Sequence, residues 1–248
     1  MLKLQDITVK IDNCNGFCRD IIHDININFE PGKLYAITGP NGGGKTTLAK
    51  VIMGINKHCS GSIFLNDKEI SNLGVTERAK LGIAYAFQQP PRFKGLTVSD
   101  LLKIASPGLE GRDLRIKLRE VGLCPEDYLD RDLGPDLSGG EIKRIEIAQV
   151  LARNGVISIF DEPEAGVDLW TVQRLISLII QRYQHNPRSI AIIITHHQNI
   201  LPICDEIIVI EEGVIKHQGS AEEIWPLIRE DILCKMKDQC RGEDCYEL

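Results

Sequence analysis

The chain has 248 residues and a formal net charge of −6, with 43% hydrophobic and 26% charged residues. This composition is ordinary for a globular protein, and the length allows one large or two small domains. The longest apolar runs, at 156–160 and 190–194, are far too short to cross a bilayer, and the first residues lack the layout of a signal peptide. We therefore expect a cytoplasmic protein with no direct membrane insertion.

The charge is unevenly distributed along the chain. Residues 201–248 contain twelve acidic and five basic residues, whereas the rest of the chain is nearly neutral. A surface that binds nucleic acid needs a basic stripe, and none is visible. We therefore predict no nucleic-acid partner.

Eight cysteines are present, and without a secretion signal we expect reduced thiols rather than disulfides. Cys14 and Cys18, like Cys240 and Cys245, are spaced too widely for the paired ligands of a zinc ribbon. Whether Cys234 and the two cysteines that follow it bind a metal stays open at the level of sequence.

The hydrophobic pattern predicts strands and helices in a mixed order. Alternating apolar and polar residues predict half-exposed strands at 4–11 and 25–29, and a buried strand follows at 34–38. A helix at 45–53 and strands at 63–65 and 83–87 come next. Helical spacing dominates 97–121 and begins again at Ser138. The last predicted elements are strands at 156–160, 190–194 and 207–210 and a helix at 169–183.

Alternating strands and helices favour a mainly parallel sheet covered on both faces. We expect an α/β core formed by residues 1–92 and 154–248, with antiparallel strands near the N-terminus. The helical segment at 93–153 is predicted to be an inserted subdomain.

The glycine-rich segment after the strand at 34–38 matches the G-x-x-x-x-G-K-[ST] pattern and opens a predicted helix, as this motif requires. Glycines let backbone N–H groups converge on phosphate oxygens, and the helix N-terminus adds partial positive charge. The pattern assigns Lys45 to the β and γ phosphates, the Thr46 hydroxyl to Mg²⁺ and Thr47 to the α phosphate. The predicted nucleotide-binding residues are Gly39, Pro40, Asn41, Gly42, Gly43, Gly44, Lys45, Thr46 and Thr47.

Two acidic residues follow the buried strand at 156–160, at the end where open α/β sheets place ligand chemistry. Asp161 is predicted to assist Mg²⁺, and Glu162 to act as the general base on the attacking water. A surface Asp-Glu turn after any strand is the alternative, which the phosphate loop upstream disfavours.

A short segment between the phosphate loop and this acidic pair has the sequence Leu137, Ser138, Gly139, Gly140 and Glu141. Taken alone, it is an N-capped helix start that offers a hydroxyl and free N–H groups to an anion. In this order, the three segments resemble the motifs of the ATP-binding cassette (ABC) family, and residues 137–141 resemble its signature. The resemblance implies a P-loop NTPase fold and an ATPase that uses ATP and Mg²⁺.

The same resemblance implies a dimer in which two copies enclose two ATP molecules. Each signature, through Ser138, Gly139, Gly140 and Glu141, is then expected to cover the γ phosphate bound to the other copy. Residues 165–168 resemble the family's dimer-contact loop, with Asp168 as the residue expected to reach across.

Three further assignments follow from the family pattern. Residues 86–91 resemble its glutamine loop, in which Gln88, after the aromatic residue, is expected to contact Mg²⁺ and the attacking water. His196, after the strand at 190–194, takes the role of the switch histidine on the γ phosphate. Phe17 is the candidate for stacking on adenine, with a partly buried hairpin phenylalanine as the alternative.

The residues that follow these motifs resemble one branch of the family, the SufC ATPases of iron–sulfur cluster assembly. The similar stretches are Glu141-Ile142-Lys143-Arg144 and Thr195-His196-His197-Gln198. The chain departs from that branch at Pro163 and at 164–166, where Glu-Ala-Gly stands instead of Asp-Ser-Gly.

The SufC resemblance implies a SufB/SufD-like scaffold as the partner, docked around residues 88–102, with Arg92, Phe93 and Lys94 as candidate contacts. The alternative is the ATP-binding subunit of a membrane transporter, which would dock a permease through the same surface. A regulatory ATPase with neither partner is a third possibility.

Overall fold

The computed structural model describes residues 1–12, 18–184 and 186–229, in which the strands form two sheets. The strands are β1 (Leu2–Asp12), β2 (Cys18–Phe29), β3 (Leu34–Thr38), β4 (Ser60–Leu65), β5 (Lys68–Glu69), β6 (Ile83–Ala86), β7 (Ile157–Asp161), β8 (Ile190–Ile194), β9 (Glu206–Glu211) and β10 (Val214–Ser220). The smaller sheet has the order β2-β1-β4-β5 and is antiparallel. The larger sheet has the order β10-β9-β3-β8-β7-β6.

The larger sheet is parallel from β9 to β6, and only β10 runs antiparallel to its neighbour. Parallel neighbours end at the same edge, so the loops after β3, β7 and β8 lie side by side. The α/β class, the mainly parallel sheet and the antiparallel N-terminal strands are thus confirmed.

The helices are α1 (Lys45–Met53), α2 (Val75–Lys80), α3 (Val98–Ala105), α4 (Gly111–Glu120), α5 (Pro125–Tyr128), α6 (Gly139–Arg153) and α7 (Leu169–Gln184), and residues 221–229 are also helical. The helical spacing at 97–121 corresponds to two helices, because Pro107 and Gly108 interrupt the chain between them. No helix in the described ranges has the length and apolar character that a membrane span requires.

Two hydrophobic clusters lie on opposite faces of the larger sheet. Ile193 of β8 belongs to the cluster formed with the helices α3, α4, α6 and α7. Its neighbours Ile192 and Ile194 belong to the cluster formed with α1 and the antiparallel sheet. This alternation follows from the two-residue period of a strand, and it explains why β8 reads as an unbroken apolar run.

A buried ion pair attaches α6 to the larger sheet. The side chains of Lys143 and Glu146 are only 1% and 6% exposed, with 3.5 Å between Nζ and Oε2. The Phe87 N–H donates to Glu146 Oε1 at 2.7 Å, and Lys143 Nζ donates to the carbonyl oxygens of Phe87 and Asp161. The pair therefore satisfies backbone groups at the exits of β6 and β7, where the strand ladders end.

Glu146 supplies a test of this attachment. Burial raises its pKa from an ordinary 4.5 to about 7, and the Lys143 ammonium offsets this only in part. The folded chain thus holds the proton more tightly than the unfolded chain, so this group lowers the free energy of unfolding as pH rises from 4.5 to about 7.

We predict that Glu146→Gln, which keeps an oxygen for the Phe87 N–H, removes this titration. The free energy of unfolding of the variant relative to the parent should rise between about pH 5 and about pH 8, measured by urea denaturation at fixed ionic strength. Glu222→Gln, at an exposed position, is the matched control and should show no such trend. A difference between Glu146→Gln and the parent that is independent of pH contradicts the prediction.

Candidate active site

The glycine-rich loop joins β3 to α1 through backbone conformations that only glycine adopts readily. Gly39 has a φ of +131°, and a Cβ there would lie 2.0 Å from the Ile210 carbonyl oxygen of β9. Gly44, with a φ of +103°, directly precedes the first turn of α1. The loop therefore leaves its N–H groups and the helix N-terminus available to an anion.

Lys45 is buried at the base of this loop, where Nζ donates to the carbonyl oxygens of Gly39 and Pro40, each at 2.8 Å. Burial lowers the pKa of Lys45, and the carboxylates of Glu162 and Asp161 oppose this shift. Among the described residues, the ammonium group thus has carboxylates near it but no direct ion pair, an arrangement suited to receiving phosphate charge.

The loop borders a cavity of about 880 Å³, a size adequate for a nucleotide. Its lining comprises residues 40–47, Asp20, Ile21, Gln88, Glu162, Glu211 and Glu212. All the predicted phosphate-binding positions except Gly39 are in this lining, and Gly39 supplies a carbonyl to Lys45. Phe17, the predicted adenine-stacking residue, lies outside the described residues.

Asp161 ends β7 fully buried beside the loop. Its Oδ1 accepts from the Thr46 hydroxyl at 3.1 Å, and its Oδ2 accepts from the Tyr85 hydroxyl at 2.6 Å. Burial, followed by the bond to Asp161, raises the pKa of Tyr85, so the phenol stays a donor. The Thr46 hydroxyl and the Asp161 carboxylate form an all-oxygen pair, which is the donor type that Mg²⁺ prefers. These residues fit the predicted metal.

Glu162 and Gln88 line the cavity, and His196 lies next to Glu162. Gln88 Nε2 donates to Glu162 Oε2 at 2.7 Å, and His196 Nε2 lies 3.8 Å from Glu162 Oε1. Glu162 has a φ of +46°, a conformation uncommon for residues other than glycine and frequent at functional sites. Burial and the Lys45 ammonium lower the pKa of His196, and the Glu162 carboxylate opposes this shift, so the neutral imidazole is favoured.

The signature begins α6, where Ser138 and Gly139 are exposed. Glu141 Oε2 accepts from the Ser138 N–H at 2.7 Å, and the Tyr128 hydroxyl donates to Oε1. These two partners lower the pKa of Glu141 to about 2. The carboxylate is thus engaged in helix capping, and we interpret Glu141 as shaping the signature rather than contacting nucleotide.

The Asp168 side chain also caps a helix, because its Oδ1 accepts from the Thr171 N–H at 3.0 Å in the first turn of α7. The residue is nevertheless exposed, as is Gly166 in the same loop. Among the described residues, none from the signature or from 165–168 lines the cavity of the phosphate loop. Within one chain, these two segments therefore do not contribute to the cavity of the phosphate loop.

The sequence motifs did not identify Tyr85 or the Lys143–Glu146 pair as part of the site. These residues contact Asp161 and Phe87, and the contacts depend on which strands and helices become neighbours. The described cysteines Cys59, Cys124 and Cys204 are free thiols, and no cluster of three or more metal-binding side chains occurs in the described part of the chain. Cys14, Cys234, Cys240 and Cys245 fall outside that part.

The sequence of the chain is similar to those of known proteins of one family. The family model described as ABC transporter matches residues 22–165. The chain is 32% identical over 240 residues to the uncharacterized ABC transporter ATP-binding protein MJ0035 of Methanocaldococcus jannaschii, covering 93% of each chain. It is 34% identical over 239 residues to the probable ATP-dependent transporter slr0075 of Synechocystis, covering 90% of each.

The fold agrees as well with a solved structure, that of the ATP-binding cassette MJ0796 in a dimeric post-hydrolysis state bound to ADP and Pi. The TM-score is 0.79 at 23% identity, over 89% of this chain and 99% of that one. Because the family model covers more than half of the chain, and the relatives nearly all of it, the family is settled. The chain belongs to the ABC transporter ATPase family: it is a P-loop α/β ATPase that uses ATP and Mg²⁺.

Proposed function

We propose that the chain hydrolyses ATP as one half of a head-to-tail dimer, in which its signature covers the γ phosphate held by a second copy. The observation that carries this proposal is the exposure of Ser138 and Gly139 at a helix N-terminus, away from the chain's own phosphate-loop cavity. Such a terminus binds anions, and the sequence contains one phosphate loop for one signature. A second copy provides the missing phosphate.

In each site, Glu162 acts as the general base on the water that attacks the γ phosphate. Gln88 donates to one carboxylate oxygen of Glu162, and the imidazole of His196 lies beside the other. Lys45 neutralises phosphate charge, and the Thr46–Asp161 oxygen pair holds the metal. When bound, Mg²⁺ acts as a Lewis acid that offsets charge on the phosphate oxygens.

Residues 93–153 are proposed to act as the subdomain that transmits closure of the dimer. They contain the signature, and their side chains Lys143 and Glu146 form hydrogen bonds with the backbone of Phe87. The γ phosphate biases the open–closed equilibrium of the dimer, and its release resets that equilibrium. We place this cycle in the cytoplasm.

For the driven partner, we propose an iron–sulfur cluster scaffold of the SufB/SufD type. The support is the SufC-like sequence after the signature, which includes Lys143 and Arg144, together with the SufC-like stretch at 195–198. Relatives named as transporters favour the alternative, in which the partner is a membrane permease. In both cases the coupling surface lies next to the glutamine loop.

That surface has an apolar concavity whose lining includes Phe87, Pro90, Pro91, Phe93 and Leu101. Phe93 is 38% exposed, so it can be buried by a partner. Arg92 is less suited to the role expected of it, because its guanidinium donates to the carbonyl oxygens of Gly134 and Leu137.

We predict that Glu162→Gln retains ATP binding, lowers kcat at least about 100-fold and accumulates an ATP-bound dimer, because the amide cannot accept the proton of water. Phosphate release gives the rate, and light scattering with ATP and Mg²⁺ gives the mass. Glu222→Gln serves as the control at an exposed site. Hydrolysis by Glu162→Gln at the parent rate would show that another group is the base.

We predict that Lys45→Ala weakens ATP binding itself, by about tenfold or more, since a charge-assisted contact is removed and two loop carbonyls lose their donor. Calorimetric titration with ATP measures the Kd. Lys50→Ala on the same helix is the matched control. Equal affinity in Lys45→Ala and the parent would remove Lys45 from the phosphate site.

The partner is identified by co-purification with the products of neighbouring genes. We predict co-elution with a soluble β-rich protein that carries iron, and loss of that partner in Phe93→Asp with basal ATPase activity retained. Ile116→Asp on α4, an equally exposed apolar residue, should keep the partner. Capture of a polytopic membrane protein would instead establish the transporter alternative.

A further inference from the structure

A carboxyl group that the mechanism above does not use lies between the loops of Glu162 and His196. Glu164 Oε1 accepts from the Thr195 hydroxyl at the end of β8. Its other oxygen, Oε2, is buried and has no hydrogen-bond partner among the described residues. At position 164 the chain has glutamate where the SufC pattern has aspartate, and the mechanism above gives this carboxyl group no role.

The Thr195 hydroxyl connects Glu164 to the backbone next to His196. Thr195 Oγ1 accepts from the His197 N–H at 2.9 Å, which leaves the hydroxyl proton for Glu164. The Thr195 N–H donates to Ile37 O of β3 at 3.1 Å. The backbone of Thr195 is thus held by β3, and its hydroxyl links Glu164 to the backbone of His197, on the other side of His196.

On its other side, Glu164 belongs to the turn that begins at Glu162. The Ala165 N–H donates to Glu162 O at 3.0 Å, and the Val167 N–H donates to Glu164 O at 3.2 Å. One side chain thus joins the turn that carries the general base and the dimer-contact loop to the segment that carries the switch histidine. His196 Nε2 and Glu162 Oε1, which are 3.8 Å apart, belong to the two segments that Glu164 joins in this way.

Burial at this position disfavours the ionised form of the Glu164 carboxyl group. Burial raises the pKa of Glu164, and the Glu162 carboxylate adds to this shift. Interactions with the Thr195 hydroxyl and with the backbone of Glu164 and His196 oppose it. Lys143 is a nearby cation, because the Glu164 carboxylate raises the pKa of Lys143. An ionisable group with one unpaired oxygen contributes less to stability than an apolar residue of the same shape, so the bond to Thr195 is its distinguishing contribution.

We infer that Glu164 is a positioning residue: through Thr195 it holds His196 at the distance from Glu162 that ATP hydrolysis requires. It thereby ties the switch histidine to the loop at 165–168. The inference rests on the catalytic roles proposed above for Glu162 and His196.

The first test separates the hydrogen bond from the charge. Glu164→Leu removes the acceptor and should lower kcat about 10- to 100-fold while the KM for ATP changes by less than about twofold, because misplacement affects the chemical step rather than nucleotide binding. Glu164→Gln keeps an oxygen for Thr195 and should stay within about threefold of the parent. Glu222→Leu controls for the change in side-chain type at an exposed site. An unchanged kcat in Glu164→Leu, or a loss expressed only in KM, overturns the inference.

The second test asks whether Glu164 acts through His196. In a His196→Ala background, Glu164→Leu should cause no further loss of kcat, and Thr195→Val in the same background should likewise cause none. Multiplicative losses in either pair overturn the inference, since they mean that Glu164 acts elsewhere. If Glu164→Leu does not fold, Thr195→Val paired with His196→Ala tests the same bridge.

The outcome for His196→Ala alone separates the two proposals. A full kcat in His196→Ala removes the proposed role of His196 and the Glu164 inference with it. A reduced kcat in His196→Ala together with a full kcat in Glu164→Leu removes the Glu164 inference alone.

Discussion

Parallel hydrogen bonding among β3, β8 and β7 brings three loops to one edge of the larger sheet, where the candidate active site is assembled. The phosphate loop follows β3, Asp161 and Glu162 follow β7, and Thr195 and His196 follow β8. The sheet fixes the spacing of these loops through backbone bonds that tolerate little shear. The groups proposed to be catalytic are distant in sequence but share one sheet as their support, while the subdomain proposed to move lies outside it.

Helix α6 connects this support to the surface. Its first residues form the exposed signature, and one and two turns later Lys143 and Glu146 contact the backbone at the exits of β6 and β7. A rotation of this helix relative to the sheet would act on the backbone just before Gln88 and Glu162. The buried pair costs desolvation free energy, and in return it specifies one arrangement of helix and sheet. In the proposed dimer, the same helix would touch one nucleotide and adjust the site of the other.

Local motifs carried most of the correct sequence-based interpretation. The fold class follows from the order of strands and helices, and the phosphate loop from a contiguous pattern whose glycines are needed for backbone geometry. Glu141 shows where a motif is ambiguous, because a Ser-x-x-Glu capping box and a phosphate-binding signature share residues. Tyr85, Glu146 and Glu164 could not be found this way: each acts through a contact with a residue at least 31 positions away, which only the packing of the sheet creates.

The approach of Gly39 to β9 bears on how variants of this chain should be interpreted. A Cβ at this position would collide with the Ile210 carbonyl oxygen before any nucleotide arrives. Glycine at position 39 is thus demanded by the packing of the loop on a neighbouring strand as much as by phosphate. An inactive Gly39 substitution in a genetic screen would report a damaged scaffold, and it would carry no information about ATP affinity.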